Sequence, residues 1–140
     1  MSRESSQGGA RRPLILIVED DKLMRILYER IFNAEPRDLS FHLEESAEGA
    51  LNYLRENSVD ALITDWDLPK VNGIVLMKAL RSHPATKTLP IIVVSGRTGP
   101  GYMDIAVKAG ASDYFSKPFE IEILLGRLRT LLRAADGTQG

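Results

Sequence analysis

Four apolar runs in this chain end in a polar group suited to phosphate chemistry. Leu14-Ile15-Leu16-Ile17-Val18 ends in Glu19-Asp20-Asp21, and the run from Val59 to Thr64 ends in Asp65. Ile91-Ile92-Val93-Val94 ends in Ser95, and Tyr114-Phe115-Ser116 ends in Lys117-Pro118. Crowded carboxylates repel one another and hold their protons more tightly unless a cation sits among them. Mg²⁺ suits such a cluster, because it takes oxygen ligands and is bound by one or two carboxylates together with phosphate oxygens. Beside such an ion the Asp65 carboxylate can attack a phosphorus atom, since aspartyl phosphates are known covalent intermediates. The Lys117 ammonium can neutralise charge on the transferring group, and the Ser95 hydroxyl can donate a hydrogen bond to it.

Each of these residues has a plainer reading when taken alone. Glu19-Asp20 can belong to an ordinary helix start, Asp65 can cap a turn, Ser95 can be a loop serine and Lys117 a solvated lysine. Their common position favours the chemical reading. If the runs are parallel strands of one sheet, all four groups meet at its carboxyl edge, where open α/β sheets bind ligands.

The elements needed to place them there are legible. Leu14 to Val18 is the continuous apolar run of a strand covered on both faces. Leu23, Ile26, Leu27 and Ile31 follow at helical spacing, and Pro36 should close that helix by disfavouring helical geometry at Glu35. Leu39 to Leu43 reads as a second strand. Ser46 should cap a helix carrying Ala47, Ala50, Leu51 and Leu54. Val59 to Thr64 is the third strand. Asn72 should cap a helix carrying Ile74, Met77 and Leu80, ended by His83-Pro84. After the strand Ile91 to Val94, the Gly99-Pro100-Gly101 loop delays the next helix to about Tyr102, and Ala109-Gly110 stops it. Asp113 to Ser116 is a fifth strand, and Ile121, Leu124, Leu125, Leu128 and Leu132 line a final helix.

Strands alternating with helices imply an α/β protein, a five-stranded parallel sheet with helices on both faces. Right-handed crossovers leave few windings. The flavodoxin-like order 2-1-3-4-5 is expected rather than a split Rossmann order. Residues 1–12 read as a flexible arm, 13–133 as one domain and 134–140 as a tail, with no output domain following.

Composition narrows the classes. A 140-residue chain with 44% hydrophobic and 26% charged residues is one ordinary globular domain. A net charge of -1 argues against direct nucleic-acid binding driven by bulk charge. The absence of cysteine excludes disulfides, a thiol nucleophile and a Cys-based zinc site. His42 and His83 stand in unrelated contexts and read as ordinary surface or loop residues. No run reaches membrane-spanning length, so no membrane insertion is expected. The polar N-terminus lacks a signal core, which points to the cytoplasm.

Together these motifs resemble the response-regulator receiver domain of two-component signalling, over about residues 13 to 133. The resemblance implies that Glu19 and Asp20 hold Mg²⁺ and that Asp65, in Ile63-Thr64-Asp65-Trp66-Asp67-Leu68-Pro69, is phosphorylated. The main-chain carbonyl of Asp67 would complete the protein's metal ligands. Ser95 would be the family's hydroxyl residue, Lys117 its lysine, Lys117-Pro118 its cis peptide bond and Tyr114 its switch aromatic. The implied partners are a sensor histidine kinase or phosphotransfer protein and an unknown downstream protein target. The implied output is a change in the face made by the fourth helix, fifth strand and fifth helix. Such a chain catalyses only its own phosphorylation and dephosphorylation. It acts as a stand-alone receiver or as a fragment of a larger regulator. Asp67 and Arg97 vary within the family and leave two readings open: they face each other over the site and tune dephosphorylation, or they are two solvated loop residues.

Two rival classes remain at this point. Asp65-Trp66-Asp67 also matches the Asp-x-Asp motif of haloacid-dehalogenase-type phosphatases, but there the nucleophile follows the first strand and the acidic pair comes late. The other rival is an interaction module that is never phosphorylated. Ser95 to Gly101 lacks the Lys-Ser/Thr ending of a nucleotide-binding loop.

Overall fold

The computed structural model describes residues 11–34 and 38–136. Residues 1–10 of the expected arm, Pro36, and residues 137–140 of the tail lie outside the described residues. The chain runs β1 (Leu14–Val18), α1 (Lys22–Asn33), β2 (Ser40–Glu44), α2 (Ala47–Glu56), β3 (Ala61–Thr64), α3 (Gly73–Arg81), β4 (Ile91–Ser95), α4 (Pro100–Ala109), β5 (Asp113–Ser116) and α5 (Ile121–Ala135). All neighbouring strands are parallel, in the order β2-β1-β3-β4-β5. That is the flavodoxin-like winding that the sequence favoured over a split Rossmann order.

Each central strand divides its side chains between two cores, because successive residues point to opposite faces. Leu16, Val18, Leu62, Ile91 and Val93 pack with Ala47, Ala50, Leu76, Met77, Leu80 and Ala106 of α2, α3 and α4. Ile15, Ile17, Ile63, Ile92 and Val94 pack with Tyr28, Ile31 and Phe32 of α1 and Leu124 and Leu128 of α5. Burying one such aliphatic side chain contributes about 1.5–3 kcal/mol, so β1, β3 and β4 form a stiff platform for the loops at their carboxyl ends.

Local signals place the helices. The Ser46 and Asn72 side chains accept from Gly49 and Val75 N–H, capping α2 and α3 as expected. Asp21 does the same for α1 through Met24 N–H. Three helices differ from the sequence expectation. Of the α1 stripe, only Ile31 is buried; Leu23 is 74% exposed and Ile26 and Leu27 are also exposed, while Tyr28, Ile31 and Phe32 face the core. Helix α4 starts at Pro100, not near Tyr102, because proline fits the first turn and Gly99 precedes it at φ 111°. It ends as expected at Gly110, φ 120°. Helix α5 continues through Ala135, beyond the expected boundary at Arg133. No helix among the described residues is long and apolar enough to cross a membrane.

Candidate functional site

The loops after β1, β3 and β5 bring their polar groups together. The Glu19 amide donates to Glu44 O (2.9 Å), carrying the β1–β2 ladder one residue beyond Val18 and burying the Glu19 side chain. Glu19 Oε2 accepts the Asp21 N–H (3.1 Å), while Asp20 between them is exposed. The Asp65 amide donates to Val18 O (3.1 Å), so Asp65 stands one residue past β3 and is only 7% exposed. Its turn is closed by Asp67 N–H donating to Asp65 Oδ1 (3.2 Å) and Gly73 N–H donating to Trp66 O (2.8 Å). A Cβ on Gly73 would lie 2.1 Å from Asp65 O, so this close approach requires glycine.

Lys117 closes the group. Its amide donates to Ser95 O (2.8 Å), and the peptide bond to Pro118 is cis. The Nζ donates to Asp65 Oδ2 at 2.9 Å and to Glu19 Oε1 at 3.1 Å. Oxygens of Glu19, Asp20 and Asp65 lie within 4.8 Å of one another. Burial and then the neighbouring Asp65 charge push the Glu19 carboxyl above its ordinary range, against the pull of the Asp21 N–H and Lys117. Burial alone would lower the Lys117 ammonium, but the hydrogen bond and charge of Asp65, with those of Glu19, outweigh it and raise its affinity for the proton. An ammonium shared by two carboxylates is the arrangement expected where excess negative charge is concentrated. Three carboxylate donors, one of them open to solvent, form the hard oxygen set that fits Mg²⁺. The Asp67 carbonyl accepts no hydrogen bond among the described residues.

Ser95 and Tyr114 lie beside this group rather than in it. Buried Ser95 ends β4, and its Oγ accepts the Arg97 N–H (3.1 Å). The Tyr114 hydroxyl donates to Arg97 O, and its ring meets Trp66 edge-on at 6.3 Å. Burial pushes the Tyr114 phenol up. Asp67 and Arg97 face each other, the first of the two readings the sequence left open, with Nη2 to Oδ1 at 2.7 Å. The guanidinium also lies 5.1 Å from the Trp66 ring and 5.5 Å from that of Tyr102.

The histidines stand apart from the site. His42 stacks on Tyr53 and meets Glu44 Oε2 (2.7 Å), and His83 Nδ1 accepts the Ala85 N–H. Two residues escaped the sequence reading. Buried Tyr28 packs near Phe119, and its phenol is raised by burial and by the charges of Glu19 and Asp65. Arg25 reaches back from α1 to the carbonyls of Glu19 and Asp20. An arginine one turn into a helix carries no sequence mark of such a contact.

Residues 15–129 match the family model of the response regulator receiver domain. The chain belongs to that family. Among curated relatives, the receiver is 36% identical over 123 residues to the phosphate regulon transcriptional regulatory protein PhoB of Rhizobium meliloti, covering 88% of this chain and 53% of that protein. It thus spans about half the length of that relative. It is 30% identical over 123 residues to a chemotaxis protein CheY homolog of Campylobacter jejuni, covering 88% of this chain and 95% of that one. A putative response regulator from Chloroflexus aurantiacus superposes with a TM-score of 0.81 at 34% identity, covering 87% of this chain and 98% of the other. Receivers belong to two-component systems, interact with histidine kinases or phosphotransfer proteins, bind Mg²⁺ in an acidic pocket, and are not enzymes in the ordinary sense. The phosphatase reading falls away with the family assignment.

Proposed function

We propose that Asp65 accepts a phosphoryl group from a histidine kinase or phosphotransfer protein in a Mg²⁺-dependent reaction. The supporting observation is Lys117 Nζ bridging Asp65 and Glu19 inside a cluster of three carboxylates. Glu19, Asp20, Asp65 and the Asp67 carbonyl would hold the ion, which supplies charge neutralisation between the nucleophile and the incoming phosphoryl oxygens. An Asp65 carboxylate oxygen forms the new O–P bond as the donor's N–P or acyl O–P bond breaks, and the leaving group departs with the electron pair. The Lys117 ammonium is freed from Asp65 to meet a phosphoryl oxygen, and the Ser95 hydroxyl donates to another. The reaction stops at the protein's own aspartate, and hydrolysis of the acyl phosphate resets it.

The switch follows from what Ser95 holds. Its Oγ is tied to Arg97 N–H, and Arg97 O is tied to Tyr114. Moving Ser95 towards the phosphoryl group loosens both ties, shifts the 96–101 loop and lets the Tyr114 ring repack. The face formed by α4, β5 and α5 then presents a different surface to a protein target. Met103, Val107 and Ile123 are exposed apolar residues of α4 and α5. The same proposal puts the protein in the cytoplasm with its kinase.

Beryllofluoride with Mg²⁺ mimics an aspartyl phosphate and tests this reading through the emission of the single tryptophan, Trp66, beside the site. A Mg²⁺-dependent change that Asp65→Asn abolishes is expected. A silent wild type favours the interaction module that is never phosphorylated.

A further inference from the structure

Arg25 lies in the first turn of α1, and its guanidinium folds back over the end of its own helix. Nη1 donates to Asp20 O at 2.6 Å and to Glu19 O at 3.2 Å. The approach to Glu45 is looser, with Nη2 at 3.6 Å from a carboxylate that is 74% exposed. This placement is electrostatically costly, because a cation at a helix N-terminus opposes the helix dipole. The two carbonyl bonds are what offset that cost, and they fall on the main chain of the loop that carries two of the clustered carboxylates.

The loop needs holding at Asp20. The Glu19 carboxylate is fixed by the Asp21 N–H and by Lys117, and that of Asp65 by the Asp67 N–H and Lys117. The Asp20 carboxylate is exposed and accepts no hydrogen bond among the described residues. Its position therefore depends on its own backbone, and Arg25 grips that backbone at the carbonyl. We infer that Arg25 is a positioning residue for the metal site, clasping the Glu19 and Asp20 carbonyls so that the Asp20 carboxylate is aimed at the ion before it arrives. This rests on the Mg²⁺ reading above and deepens it. Groups that orient metal ligands typically change affinity by about 10–100-fold when removed.

The test is a Mg²⁺ titration of the full chain at constant ionic strength, followed by Trp66 emission, for wild type, Arg25→Ala and Arg25→Lys. Lysine keeps the charge but not the rigid guanidinium that seats Nη1 on both carbonyls while Nη2 faces Glu45. Melting curves establish that each variant is folded, and Arg25→Lys carries the comparison if Arg25→Ala is not. The expected result is Mg²⁺ binding weaker by about tenfold in both variants. Labelling rates with acetyl phosphate should converge on wild type at saturating Mg²⁺, a split that a general loss of structure would not give. Unchanged or tighter binding in the folded variants overturns the inference and shows that charge repulsion outweighs positioning. A wild type that does not respond to Mg²⁺ overturns the metal reading and this inference with it.

Discussion

Arg97 grips Asp67 with two nitrogens, Nη2 at 2.7 Å from Oδ1 and Nε at 3.2 Å from both carboxylate oxygens, joining the loop after β4 to the loop after β3. The hydrogen bond to Asp67 raises the hold of Arg97 on its proton, so the guanidinium stays charged. Trp66 and Tyr102 receive the guanidinium on their rings, which limits the freedom usually lost when exposed ions pair. Asp67 and Arg97 each stand two residues beyond a residue of the proposed site, Asp65 or Ser95, so on that proposal the pair would restrict water at the acyl phosphate. Arg97→Ala and Asp67→Ala should each speed phosphoryl loss by about two- to fivefold, the scale of an exposed ion pair. The double variant should be no faster than the faster single one. Decay of the phosphorylated protein after donor removal checks this, and additive effects would sink the pairing.

Lys117 occupies the oxygens that a cation would use. Lys117→Met should therefore bind Mg²⁺ at least as tightly as wild type, because its ammonium no longer competes for Asp65 Oδ2 and Glu19 Oε1. Its labelling by acetyl phosphate should nonetheless slow by about 10²–10³-fold, the cost of losing one group that stabilises transition-state charge. Weaker Mg²⁺ binding in this variant would contradict the competition.

Two glycines should respond in opposite directions to alanine. At Gly73 the added Cβ meets Asp65 O at 2.1 Å, and backbone must move. A loss of about 1–3 kcal/mol in denaturant stability is expected, together with impaired labelling, because the displaced atom belongs to Asp65, the proposed phosphoryl acceptor. Gly126 lies inside α5, and nothing stands within 4 Å of its added Cβ. Gly126→Ala should stabilise by about 0.5–1 kcal/mol.

Asp38 and Arg129 form a fork with both contacts at 2.8 Å, tying the start of β2 to α5. The hydrogen bond from Arg129 holds the Asp38 carboxyl below its ordinary value. A depressed folded value means that the stabilisation is present above the ordinary carboxylate range and is lost as pH falls through the depressed one. Asp38→Asn should cost up to about 1 kcal/mol at neutral pH, discounted for exposure, and the difference from wild type should vanish in acid. Urea midpoints across pH test this, and a gap that widens in acid would reverse the sign.

The winding and the acidic site were legible because they depend on strongly marked residues. Continuous apolar runs identify β1, β3 and β4, and a charged residue directly after such a run has little choice of position. The phase of α1 was not legible. Leu23, Ile26 and Leu27 keep helical spacing with Ile31, but so do Tyr28, Ile31 and Phe32, and spacing gives a period without saying which face meets the sheet. Aromatic bulk decided for Tyr28 and Phe32. The start of α4 was misread because Gly99 and Pro100 act as breakers inside a helix and as a start signal at its first turn. The Arg25 contacts to main-chain carbonyls leave no pattern in the sequence, since any loop offers carbonyls.

The most direct measurement is intact-mass spectrometry after incubation with acetyl phosphate and Mg²⁺, with Asp65→Asn beside wild type. One phosphoryl adduct, dependent on Mg²⁺ and absent from the variant, is the expected result. An adduct that persists in Asp65→Asn, or none even with a histidine kinase as donor, would contradict the assignment of Asp65 as the phosphoryl acceptor.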